Sequence, residues 1–250
     1  MIDLTGAPIV TVIAAALVYC RVQACLLAMP VFAERLMPAR LKIALAMGLT
    51  PLFLPEVPPA GLIGAEPVTL ALAAGAEAVT GLALGMIVRL AALSLDVAAS
   101  TIATTACLSQ IMGVTNEFAP HPIGNLLHLA GAALLMALGF PLLVCDILGD
   151  SFTLRGLGAW ADSAVLLPAV VAIILKSFGL AMVLAAPFIL GGLLFQALSG
   201  VISKVMPALP VVFIGAPAAI LMALVALSLL VPAILSVWSE HLMSLILPGL

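Results

Sequence analysis

Long apolar runs alternate with short polar breaks along this chain, and the lengths of the runs set the reading. Leu4 to Cys20 carries no charge, and Val22 to Ala33 extends the run beyond a single Arg21. Together they exceed the ~20 residues an α-helix needs to cross a hydrocarbon core of about 30 Å. Pro30 bends or ends that helix. Ile43 to Pro55 is a second apolar segment, short for a full crossing. Pro67 to Leu95 is a long helix candidate carrying Glu77, Gly81, Gly85 and Arg89, and Ile123 to Cys145 is a further span with Pro141 near its end. Ser163 to Ser203 is broken only by Lys176, so it reads either as one long helix bent near Pro187 or as two segments. Val205 to Ser239 is again uncharged, which makes Lys204 to Pro210 the tight turn of a helical hairpin. The pattern predicts an all-α membrane protein of about six to eight hydrophobic helices in hairpins.

The polar breaks differ in character. Glu34 to Lys42, with Arg35, Arg40 and Lys42, is the densest charge cluster, and an excess of Lys and Arg marks a cytoplasmic loop. The acidic, Pro-rich stretch from Glu56 to Glu66 reads as a loop on the other side, as does Asp146 to Asp162 with Asp150, Arg155 and Trp160. Met112 to Asn125 stands apart: it is polar, holds Gly113, Pro120, Pro122 and Gly124, and lies between two charge-free stretches. Lipid cannot satisfy the N–H and C=O groups of irregular backbone, so this stretch is a candidate pore or cavity element. The side it faces depends on whether Val97 to Met112 doubles back as its own helix.

Composition strengthens the class. The chain is 65% hydrophobic and 8% charged, with a mean hydropathy of +1.39, against ~45–50% and ~25% for soluble domains. Eight thinly scattered Lys and Arg and a net charge of −3 leave no basic face for nucleic acid. Asp3 stands where a signal peptide would carry its basic region, so the first segment is expected to remain as a helix. Cys20, Cys25, Cys107 and Cys145 lack any metal-ligand spacing. With aromatics at 5%, the interfacial belt is thin and much of the surface is expected to face protein.

Candidate chemistry is sparse. Gly149-Asp150-Ser151 with His241 does not make a serine-protease constellation, because Ser151 falls in an expected loop and reads as a cap or turn residue. His121 and His128, seven apart, have only Glu117 near them. Neither an enzymatic activity nor a cofactor is indicated. The charges inside apolar runs carry more weight. Arg21 is either a snorkelling side chain or partner for a helix end, or an inter-subunit or pore-facing contact. Glu77 reads as a buried interface hydrogen bond or a proton relay, and Arg89 and Asp96 fall on one helical face and could pair. A proton-coupled small-solute transporter using Glu77, Arg89 and Asp96 is the alternative class, although no internal repeat links the two halves.

Four stretches, in order and spacing, carry a family resemblance: Arg21 with Pro30, Pro38 and Arg40; Glu77 with Gly81 and Gly85; Met112-Gly113 running to Phe118 and Pro120; and Ala186-Pro187 leading to Ser203-Lys204, Pro207, Phe213, Gly215 and Pro217. From Arg21 to about Leu230 the chain resembles the FliR family, the flagellar type III export-gate subunit with its injectisome counterpart. The resemblance implies a multi-pass protein of the bacterial inner membrane at the flagellar basal body, assembled with FliP-like and FliQ-like subunits and an FlhB-like protein. Unfolded export substrates would leave through the gate they form. It implies a FliP-like part over residues 1–162 with the central loop at 111–125, and a FliQ-like hairpin over 163–250. The plug of the closed pore would be Ile111, Met112, Gly113, Val114, Thr115, Asn116, Glu117 and Phe118. Subunit contacts are expected at Arg21, Glu77, Gly81, Gly85, Arg89, Lys204, Pro207, Phe213 and Gly215. The chain departs from the family pattern at Pro207-Ala208-Leu209-Pro210, where Pro-Gln-Leu-Asn is usual, and at Ala119, where an Asp is usual.

Overall fold

The computed structural model describes residues 7–33, 37–54, 66–106, 122–160, 162–206 and 211–246. The plug residues Ile111 to Phe118 and Pro207 lie outside them. The described secondary structure is helical: α1 (Ala7–Ala28), α2 (Ala39–Phe53), α3 (Pro67–Ala106), α4 (Pro122–Ala137), α5 (Phe140–Leu154), α6 (Ser163–Val205) and α7 (Val211–Ile246). Four of these helices are long and apolar enough to cross a membrane. Several begin as their sequence dictates. Proline opens α3 and α4, where its missing N–H would be unpaired in any case. Asp162 accepts the Ala164 amide at 2.9 Å and caps the start of α6.

Three boundaries differ from the sequence expectation. The span over Ile123 to Cys145 is broken at Leu138–Gly139, where Gly139 takes φ +82° and α5 restarts at Phe140. That left-handed conformation is open to glycine at little cost. The expected loop from Asp146 to Asp162 begins only after Leu154, so Asp146, Asp150 and Ser151 are helical. Both Asp residues lie on the outer face of α5, while Leu143, Val144, Leu148, Ser151 and Phe152 are buried. Finally, α3 continues to Ala106 without doubling back at Val97. Of the two readings of Ser163 to Ser203, the continuous helix is the one observed, passing through Pro187.

The chain forms two compact units. The first comprises residues 1–90 and 136–173. Its core is built from Leu17, Val18, Val22 and Cys25 of α1, Met29 just past its end, Ala76 and Val88 of α3, and the inner face of α5. Phe32 stacks on Phe140 at 6.2 Å, and Phe53 of α2 meets Phe152 of α5 at 5.5 Å. The second unit comprises residues 91–135 and 174–250. Leu95, Ala98 and Ile102 of α3, Leu127 of α4, Ala181, Leu184 and Phe188 of α6, and Ile234, Trp238 and Leu242 of α7 are buried in it. Gly131 admits the closest approach there: a Cβ on it would collide with Leu95 and lie 3.4 Å from the Trp238 ring.

Candidate functional site: a buried ion pair beneath a helix end

Within the first unit, the most polar point of the core is Arg21 on α1, which is 0% exposed. Glu77 on α3, also 0% exposed, receives it in a two-pronged pair: Nε donates to Oε2 at 2.6 Å and Nη2 to Oε1 at 3.1 Å. The rest of the guanidinium turns to the C-terminal end of α5. Nη1 donates to the Ser151 carbonyl at 2.8 Å and to Ser151 Oγ at 3.3 Å, and both Nη atoms reach the Arg155 carbonyl, at 3.4 and 3.3 Å. Each of the five N–H donors of an arginine therefore has an acceptor. A cation at the carbonyl end of a helix also meets the negative end of the helix dipole. The Phe152 ring closes one face, 4.3 Å from the guanidinium carbon.

The meeting of these charges is prepared by glycine. Glu77, Gly81 and Gly85 recur every four residues and so share one stripe of α3. A Cβ on Gly81 would overlap the Arg21 carbonyl, and one on Gly85 would lie 2.5 Å from the Cys25 carbonyl and 2.7 Å from Ala28 Cβ. Helix α1 lies directly against that stripe, and contacts advance along both helices together, so α1 and α3 run parallel at the crossing. Small residues let two helix backbones approach without a hydrophobic driving force between them. The pair is closed from above by Gly158, whose amide donates to Glu77 Oε1 at 2.7 Å. Gly158 has φ +78°, and a Cβ there would come within 3.2 Å of Ala73, so glycine alone suits both conformation and space.

The structure thus brings Arg21, Glu77, Gly81 and Gly85 together inside the chain. Arg89 is exposed and pairs with no described residue, and Lys204 is exposed at the end of α6. Phe213 and Gly215 lie in the first turns of α7. The expected Arg89–Asp96 pair does not form; in the second unit Asp96 Oδ1 instead meets His128 Nδ1 of α4 at 2.7 Å. Ser151, Phe152, Arg155 and Gly158 complete the site and were not singled out for it by sequence. The available signal was that Arg21 and Glu77 are opposite charges, each set in an apolar helix where isolation is costly.

This geometry defines a class: a polytopic, all-helical membrane protein whose one fully buried ion pair among the described residues fixes helix packing and faces no solvent. Residues 12–245 match the family of bacterial export proteins, family 1. The chain is also 30% identical over 235 residues to the flagellar biosynthetic protein FliR of Caulobacter vibrioides, covering 91% of this chain and 92% of that protein. The chain belongs to this export-protein family.

Proposed function

We propose that the chain is a non-enzymatic subunit of a flagellar type III protein export gate in the bacterial inner membrane, packed with FliP-like and FliQ-like subunits and an FlhB-like protein. The observation that carries this reading is the likeness to Caulobacter FliR along nearly the whole of both chains. In this reading residues 1–162 act as the FliP-like part and 163–250 as the FliQ-like hairpin. Ile111, Met112, Val114 and Phe118 seal the closed pore, with Gly113 as a hinge among Thr115, Asn116 and Glu117.

Helix length supports a shared assembly. At 40 and 43 residues, α3 and α6 are about 60 and 65 Å long. Tilted by as much as ~40°, the shorter still rises about 46 Å, well beyond a hydrocarbon core of about 30 Å. Protein has to cover the remainder of these apolar surfaces. Only 22% of the apolar window of α6 and 17% of that of α7 is buried within the chain, which leaves broad faces for neighbouring subunits, with Arg89, Lys204, Pro207, Phe213 and Gly215 as contacts. No observation favours the transporter alternative: Glu77 is committed to Arg21 and Asp96 to His128, while Arg89 has no partner among the described residues.

Deleting Gly113 to Phe118 tests the proposal. The gate is expected to assemble and co-purify with its partners, and single-channel recording in planar bilayers is expected to show raised ion conductance. Assembled gates with unchanged conductance would overturn the plug assignment, and a chain that purifies as a functional monomer would overturn the gate.

A further inference from the structure

A cavity of about 170 Å³, open on one side, lies beside the ion pair in the first unit. Its walls are Ala83, Leu84 and Ile87 of α3, Leu154 and Arg155 at the end of α5, and Leu166 in the first turn of α6. Thr80 and Ser151 also border it, but their hydroxyls are engaged. Thr80 donates to the Ala76 carbonyl at 2.8 Å, and Ser151 donates to the Leu148 carbonyl at 2.7 Å while accepting from Arg21. Little is left inside for water to bond. The lining is mostly apolar, so the slot favours an apolar group over water.

The rim has a different chemistry. Leu154 is 84% exposed, and Arg155 next to it has its carbonyl occupied by Arg21, while its guanidinium pairs with no described acidic group. Trp160, five residues on and 60% exposed, is the kind of side chain that settles at headgroup level. An apolar slot bordered by Arg155, with an exposed tryptophan five residues further along the chain, matches the two ends of one molecule. We propose that this cavity binds one acyl chain of an anionic membrane phospholipid, whose phosphate pairs with the Arg155 guanidinium. Planar guanidinium suits phosphate through paired N–H bonds. The bound chain lies against the end of α5 that Arg21 holds, so lipid and ion pair support the same helix end.

The test uses the full-length protein in nanodiscs of phosphatidylethanolamine and phosphatidylglycerol, doped with a phosphatidylglycerol carrying a photoactivatable diazirine at the end of one acyl chain. After illumination, adducts are mapped by peptide mass spectrometry. Labelling is expected to concentrate on the 83–87 and 154–166 segments. Leu84→Trp, which fills the slot, is expected to lower it about tenfold, and Arg155→Gln to lower it by a similar factor for phosphatidylglycerol and by less for a phosphatidylethanolamine probe, whose phosphate charge is offset by its own ammonium. If Leu84→Trp does not accumulate, Leu166→Trp fills the same space from α6. Labelling spread evenly over the exposed faces of α6 and α7, or unchanged by the filling variants, would overturn the site. So would loss of labelling on assembly with partner subunits, since a partner's apolar side chain would then be the occupant. None of these readouts depends on protein export.

Discussion

Two carboxylate contacts of the described chain are almost equal in length and opposite in setting. Arg21–Glu77 closes at 2.6 Å with both side chains 0% exposed, whereas Asp96–His128 closes at 2.7 Å with side chains 45% and 32% exposed. Distance alone would rank them together. Surroundings separate them, because a buried charge deprived of its partner has nothing to replace it, while an exposed one is free to reorient toward whatever lies outside the chain. Breaking a buried pair costs about 3–5 kcal/mol, and an exposed pair contributes about 0–1 kcal/mol.

Glu77→Ala is the sharpest way to break the comparison. It strands Arg21 and removes the acceptor of the Gly158 amide, and is expected to destabilise the protein by about 3–5 kcal/mol, read as a lowered unfolding midpoint in detergent. Replacing both partners, Arg21→Met with Glu77→Leu, is expected to recover most of that loss, since similar volume then fills the site without charge. A double variant as unstable as the single one would show that the helix end of α5 depends on Arg21 itself. Gly81→Ala comes next. Its Cβ meets the backbone carbonyl of Arg21 instead of a movable side chain, and a loss of about 1–3 kcal/mol is expected in the same assay. Gly158→Ala, strained at positive φ and crowded by Ala73, is expected to cost about 1–2 kcal/mol and to speed hydrogen exchange of the residue 158 amide. His128→Ala is the weakest, at about 0–1 kcal/mol. A larger loss would mean that the second unit relies on this pair more than its exposure implies.

The helical class was legible because runs such as Val205 to Ser239 exceed anything a soluble core requires. The extent of α5 was not, because the polarity of Asp146 and Asp150 within a glycine-containing stretch favours a loop. Four apart and facing outward opposite Leu143, Leu148 and Phe152, they mark the wet stripe of an amphipathic helix. The break at Gly139 left no mark beyond a common residue before Pro141. Arg21 and Glu77 stand out in the sequence as charges inside apolar runs, but nothing in it joins them. A separation of 56 positions carries no periodic signal, and Ser151 and Arg155 enter through backbone carbonyls, which any residue type supplies.

That separation also has a consequence in time. Arg21 is made 56 residues before Glu77 and 130 before Ser151. At ~5–20 residues per second, the ribosome leaves the cation without its carboxylate for about 3–11 s and without its helix end for about 7–26 s. During that interval α1 is a marginal membrane segment, since a lone arginine at a helix centre disfavours insertion by about 2.5–3.5 kcal/mol. The order of synthesis therefore leaves the first helix unsecured until α5 emerges.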